Sequence, residues 1–123
     1  MAHNGITVLV VEDEILIRMD VATFLEDEGF TVHEAADADE AISILDKHPD
    51  IKVMFTDIDM PGTMDGLKLA AAVRDRWPPV QIIVTSGHWQ LNDDMLPVQG
   101  RFFSKPYDRS RVIDAIREMV AAA

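Results

Sequence analysis

The chain predicts an α/β domain: a doubly wound parallel sheet of five strands in the flavodoxin-like order 2-1-3-4-5, with helices on both faces. Three observations point there. Apolar, β-branched runs of strand length alternate with segments whose apolar residues recur at helical spacing. The runs are nearly unbroken, as in strands covered on both faces. Joining such strands through helices requires parallel pairing with right-handed crossovers.

The first strand is Ile6-Thr-Val-Leu-Val-Val11. Ile17, Val21, Phe24 and Leu25 then recur as one helical face, and Gly29 is a stop signal. Taken alone, the adjacent acids Glu12 and Asp13 mark the start of that helix, with Asp13 capping it or favouring its dipole. Phe30 to Ala35 reads as the second strand. Asp37 caps a short helix with Ala41, Ile42 and Leu45 inward, ended near His48-Pro49. The third strand runs from about Lys52 to Thr56, at the end of the apolar stretch that begins at Ile51. A third helix covers about Asp65 to Arg76 with Leu69, Ala70 and Val73 inward, and Trp77-Pro78-Pro79 stops it. Val80 to Thr85 is the fourth strand and Arg101 to Ser104 the fifth. The last helix, about Asp108 to Val120, carries Val112, Ile113 and Ile116 on one face, extended by Met119 and Val120. Between His88 and Gly100 the pattern of Trp89, Leu91, Met95 and Leu96 is weak and Pro97 cuts it. A short or irregular fourth helix is expected there.

The 123 residues suffice for one domain, spanning 1–123 with no effector domain. With 22 acids against 11 Lys plus Arg, the formal net charge is -11. That balance argues against direct nucleic-acid binding, which needs basic patches, and suits a module that recruits a divalent cation or meets a basic partner. The chain has no cysteine, so disulfides, thiolate metal sites and cysteine nucleophiles are excluded. The absence fits a cytoplasmic location. Ile6 to Val11 is too short for a signal-peptide core or a membrane span.

Ionisable and hydroxyl residues fall where four of the strands end, the place where such sheets bind ligands. They are Glu12-Asp13, Asp57, Thr85-Ser86 and Lys105. A carboxylate at the end of a buried strand costs free energy unless a partner holds it. Two like charges about 4 Å apart repel by about 4 kcal/mol at an effective dielectric near 20. A hard cation offsets that repulsion, and Mg²⁺ favours few carboxylates and several waters. Asp13 and Asp57 are the direct ligands in this reading, with Glu12 acting through water. Asp57 is then a nucleophile that attacks phosphorus in line and forms an acyl phosphate. Its plainer reading is the first residue of a turn, and that of Lys105 a solvated surface charge. Lys105 at a strand end can reach a phosphoryl oxygen, and Pro106 is a candidate cis bond. Neighbouring strand residues face opposite ways, so either Thr85 or Ser86 supplies a hydroxyl. Ser86 is the choice, because Gly87 leaves room for a phosphodonor.

Taken in order, Val10-Val11-Glu12-Asp13-Glu14, Thr56-Asp57-Ile58-Asp59-Met60-Pro61-Gly62, Met64-Asp65-Gly66, Val84-Thr85-Ser86-Gly87 and Lys105-Pro106 resemble the receiver domain of two-component response regulators. A stand-alone, chemotaxis-receiver-like regulator is the leading expectation, and a receiver excised from a larger protein such as a hybrid kinase looks identical in sequence. The resemblance spans essentially the whole chain. It implies that Asp57 is the phosphoacceptor, served by a histidine kinase or a histidine phosphotransfer protein. It implies Mg²⁺ held by Glu12, Asp13, Asp57 and the backbone carbonyl of Asp59. Ser86 stands for the family's switch hydroxyl, Lys105 for its lysine and Phe102 for its aromatic switch residue. It further implies self-phosphorylation from a phosphodonor with slow autodephosphorylation, rather than ordinary turnover. A downstream protein partner, and a homodimer through the fourth helix, fifth strand and fifth helix, also follow from it.

Three departures stand out. The turn Pro61-Gly62-Thr63-Met64-Asp65 is one residue longer than the family's, Phe102 lacks the hydroxyl of the common tyrosine, and the stretch from Gly87 to Lys105 is short. The expected bistable element is the loop carrying Ser86, the irregular segment after it, and Phe102. Two rivals remain at this point. Asp57-Ile58-Asp59 is similar to the Asp-x-Asp of haloacid-dehalogenase-type phosphatases, although Met60-Pro61 follows where that family has Gly-Thr. The other rival is a receiver-like binding module that is never phosphorylated.

Overall fold

A computed structural model describes residues 5–59, 65–87, 96 and 99–122. Strands β1 (Thr7–Val11), β2 (Thr31–Ala35), β3 (Ile51–Asp57), β4 (Gln81–Ser86) and β5 (Arg101–Ser104) form one sheet in the order β2-β1-β3-β4-β5, all pairs parallel. Helices α1 (Ile15–Asp27), α2 (Ala38–Lys47), α3 (Gly66–Arg76) and α4 (Arg109–Ala122) connect and cover it. The predicted fold class and strand order are those observed.

The strands alternate their side chains between two apolar layers. Leu9, Val11, Met54, Ile82 and Val84 pack with Ala41 and Leu45 of α2 and with Leu69, Ala70 and Val73 of α3. Val8, Val10, Val53, Phe55 and Ile83 face the other way, against Val21, Phe24 and Leu25 of α1 and Val112, Ile113 and Ile116 of α4. Each fully buried Val, Leu, Ile or Phe contributes about 1.5–3 kcal/mol relative to an exposed one. Both faces of β1 and β3 are therefore held, which explains their unbroken apolar runs. The edge strand β2 is mostly half-exposed.

Local chemistry sets the helix ends. The Asp37 carboxylate accepts from the Glu40 N–H at 2.8 Å, and Glu40 Oε1 accepts from the Ala36 N–H at 3.3 Å. Asp65 caps α3 by accepting from the Lys68 N–H at 2.9 Å. Asp108 accepts from both the N–H and the hydroxyl of Ser110 at the start of α4, at 2.9 and 2.7 Å. Each such cap is worth about 1 kcal/mol. Gly29 ends α1 with φ +92°, a conformation that favours glycine.

The structure corrects four expectations. The N-cap of α1 is Glu14, without a side-chain cap bond, so Asp13 does not cap the helix. Ile17 is 37% exposed rather than part of the buried face, because it borders the open cavity at the end of β1. The third strand begins at Ile51 and includes Asp57, and the fourth includes Ser86. Its pairing continues to the end of the ladder, with Asp57 opposite Thr85 and Ser86 opposite Ser104. The expected fourth helix, with His88, Trp89, Leu91, Met95 and Pro97, lies outside the described residues apart from buried Leu96. The longer turn through Pro61–Met64 also lies outside them.

Candidate functional site

Strand order determines what can meet. From β1 the chain steps to one side to form β2 and to the other to form β3. The connections after β1 and β3 lead to helices on opposite faces, so a crevice opens at the carboxyl ends where the order reverses. Glu12 follows β1, Asp57 ends β3, Ser86 ends β4 and Lys105 follows β5.

Asp57 is 6% exposed and both carboxylate oxygens are engaged. Oδ1 accepts from the Asp59 N–H at 3.0 Å, and Oδ2 accepts from Lys105 Nζ at 2.8 Å. Backbone bonds hold this geometry: Ile58 N–H donates to the Thr85 carbonyl and Lys105 N–H to the Ser86 carbonyl, each at 2.9 Å. Gly66 packs against the same backbone. A Cβ there would fall on the Asp57 carbonyl oxygen and lie 2.8 Å from Ile58 Cα. The Lys105–Pro106 bond is cis.

Lys105 Nζ also lies 3.8 Å from Glu12 Oε1. Burial opposes the lysine charge, but the Asp57 bond and the charges of Asp57, Glu12 and Asp59 outweigh it and raise the lysine pKa. Glu12 is pushed the other way for an acid, up to about 8 from 4.5. Burial is the first cause, followed by the Asp57 charge and hydrogen bond; Lys105 counteracts them in part. Glu12 is 4% exposed, and its buried Oε2 has no hydrogen-bond partner.

Glu12, Asp13 and Asp57 bring one carboxylate oxygen each to within 4.8 Å of one another. An orphaned buried oxygen among converging acids is what a hard cation satisfies. The donor set therefore fits Mg²⁺. A cavity of about 350 Å³ opens beside these groups, lined by Glu12, Asp13, Asp57, Asp59, Gly87 and Lys105, among others. It can admit a phosphoryl group and a cation together.

The two expected switch residues have partners of their own in this state. The buried Ser86 hydroxyl donates to Asp59 Oδ2 at 2.9 Å. The Gly87 N–H donates to the same oxygen at 3.3 Å. Phe102 is half-buried against the α2–α3 layer.

Sequence reasoning gave Asp59 a backbone carbonyl toward the metal and a side chain only in the rival phosphatase reading, and did not foresee its bond to Ser86. The Asp-x-Asp spacing was the available signal, since alternate residues of an extended segment share a side. It also missed Tyr107, two residues after Lys105. That ring stands edge-on to Phe55, 5.9 Å away, and lines a small cavity with Glu12, Asp57, Thr85 and Lys105. Burial, then the Asp20 charge, pushes its hydroxyl up to about 12. A third omission is the apolar surface of α1 beside the cavity, where Ile15, Leu16 and Met19 are all more than half exposed, Leu16 by 78%. Arg18 anchors that helix to the site, donating to the Glu12 carbonyl at 2.9 Å.

The geometry has counterparts among known proteins. The profile of the response regulator receiver domain matches residues 8–117. The sensor kinase CckA of Brucella abortus (strain 2308) is 33% identical over 118 residues, covering 93% of this chain and 12% of the kinase. The nitrogen assimilation regulatory protein NtrX of Azorhizobium caulinodans is also 33% identical over 118 residues, covering 92% of this chain and 25% of the regulator. The chain thus spans a quarter or less of these relatives. The crystal structure of a response regulator receiver protein from Sinorhizobium medicae WSM419 superposes with a TM-score of 0.87 at 28% identity, covering 97% of both chains.

Proposed function

Because this chain belongs to the response regulator receiver domain family, we propose that Asp57 accepts a phosphoryl group from a phosphohistidine and that the acyl phosphate switches its protein contacts. The observation that carries this reading is the Lys105–Asp57 bond of 2.8 Å inside an acid-lined cavity. With the family shown, the phosphatase reading of Asp57-Ile58-Asp59 is set aside.

An Asp57 oxygen attacks phosphorus in line. A P–O bond forms, the P–N bond to the donor imidazole breaks, and its electron pair returns to the ring nitrogen. Lys105 is placed to exchange its carboxylate contact for a phosphoryl oxygen and to balance the added charge. The Asp59 N–H fixes the orientation of the attacking carboxylate. Glu12, Asp13, Asp57 and the Asp59 carbonyl would hold Mg²⁺, which supplies charge neutralisation at the phosphoryl oxygens. Ser86 and Phe102 are the switch residues in this reading.

The exposed Ile15, Leu16 and Met19 form the surface on which a helical kinase or phosphotransfer domain would seat its histidine. No helix among the described residues is long and apolar enough to cross a membrane. A cytoplasmic receiver that acts through protein contacts rather than nucleic acid is part of the same proposal. So is a homodimer through β5, α4 (the expected fifth helix) and the segment before β5.

Incubation with acetyl phosphate and Mg²⁺ tests the central claim. Mass spectrometry should find one phosphoryl group on the wild type and none on Asp57→Ala. Labelling that survives in Asp57→Ala would transfer the role elsewhere.

A further inference from the structure

The groups expected to recognise the phosphoryl are already bonded to another acid. Asp59 Oδ2 accepts from the Ser86 hydroxyl at 2.9 Å and from the Gly87 N–H at 3.3 Å. The N–H of the same residue donates to Asp57 Oδ1 at 3.0 Å. Asp59 thus connects the end of β3 to the end of β4 through both its backbone and its side chain. Ser86 is buried, and the Asp59 bond gives its hydroxyl a charged acceptor in the resting state.

We propose that the Asp59 carboxylate is a resting-state latch: a positioning residue that holds Ser86 and Gly87 away from Asp57 and competes with the phosphoryl group for them. This inference rests on the phosphoacceptor reading of Asp57. A phosphoryl group on Asp57 presents oxygens of the same charge type as the Asp59 carboxylate. When the Ser86 hydroxyl turns to the phosphoryl, it exchanges one charge-assisted bond for another. The driving force for switching is then the difference between the two bonds, not the worth of one. One such bond in the resting state holds back the switched population by about tenfold. The latch makes the protein more reluctant to switch than its acid, hydroxyl and lysine set alone implies.

The test compares wild type, Asp59→Ala and Asp59→Asn by ¹H–¹⁵N NMR, with and without beryllofluoride and Mg²⁺. Substituting this side chain leaves the Asp59 backbone carbonyl in place. The asparagine keeps an oxygen acceptor without the charge, so it separates bonding from simple electrostatics. In unmodified Asp59→Ala, the amide signals of Thr85, Ser86 and Gly87 should move along the line joining the wild-type resting and beryllofluoride-bound positions. Half-saturation should need about tenfold less beryllofluoride. Asp59→Asn should show a smaller displacement, between wild type and Asp59→Ala, because its amide oxygen still accepts from Ser86 but without the charge that strengthens the bond.

Equal displacement in both variants would assign the effect to charge and overturn the latch. Unmoved signals in Asp59→Ala would also overturn it. The resting-state comparison requires no phosphorylation. A failed latch is therefore distinguishable from a failed phosphoacceptor reading, in which the wild type itself would take neither beryllofluoride nor a phosphoryl group.

Discussion

Within β3, Met54 and Asp57 stand three residues apart and are nearly equally hidden from water, 0% and 6% exposed, yet they act in opposite directions. Burial of Met54 and its apolar neighbours stabilises the fold. Burial at the Asp57 end sets two carboxylates beside each other, and burial and the Asp57 charge raise the Glu12 pKa against the opposing pull of Lys105. The middle of the sheet and its carboxyl end are thus one scaffold with two energetic roles. The first makes the fold stable, and the second keeps charges close together and ready for a ligand.

The contrast breaks most sharply in the middle of the sheet. Leu69→Ala should destabilise the protein by about 2–5 kcal/mol, read from urea unfolding, because Leu69 is fully buried between α3 and the strands. Gly66→Ala comes next, at the seam between the regions. Its new Cβ must displace the Asp57 backbone, so about 2–3 kcal/mol of stability should be lost together with acetyl-phosphate labelling. Glu12→Gln should do the reverse. It removes an acid that must take up a proton to be buried, so the metal-free protein should gain about 1–2 kcal/mol near neutral pH, a rise of about 5 °C in melting temperature, while Mg²⁺ affinity falls.

The same residue predicts a pH slope. Glu12 holds its proton in the fold up to about 8, whereas the unfolded chain releases it near 4.5. Between those values the native state binds more protons, so stability falls as pH rises and levels off above about 8. Thermal melts in chelator should show this slope in the wild type and a flatter one in Glu12→Gln. Mg²⁺ binding should strengthen over the same window, since the ligand must shed its proton. The smallest effect is expected at the surface. Arg101→Gln breaks a 2.9 Å ion pair with Glu118 whose side chains are 38% and 62% exposed, and should change stability by under about 1 kcal/mol.

The middle of the sheet was the more legible of the two regions. Ile6 to Val11 and Val80 to Thr85 announce buried parallel strands, and Asp37 and Asp65 announce helix starts, because these signals are local. At the carboxyl end, residue types were legible but partners were not. The sequence shows Asp59 and Ser86 but carries no local signal that they touch across 27 positions. The same holds for Tyr107 against Phe55. The exposed face of α1 was misread because Ile17 fits the helical period of the buried face, while periodicity does not tell where that face opens onto a cavity. Gly66 was noticed only as part of a motif; its reason is the Asp57 carbonyl beside it.

The bond between Lys105 and Asp57 joins residues 48 positions apart, across strands that are not neighbours in the sheet. During synthesis from the N-terminus, Glu12, Asp13 and Asp57 emerge well before the lysine that balances them. A nascent chain of that length holds the site's three acids without the site's lysine, and closing the long loop to β5 is the slower, entropically costlier event. The proposed phosphoacceptor site is therefore completed late, when the last strand docks, so an immature or truncated product should not be labelled by acetyl phosphate.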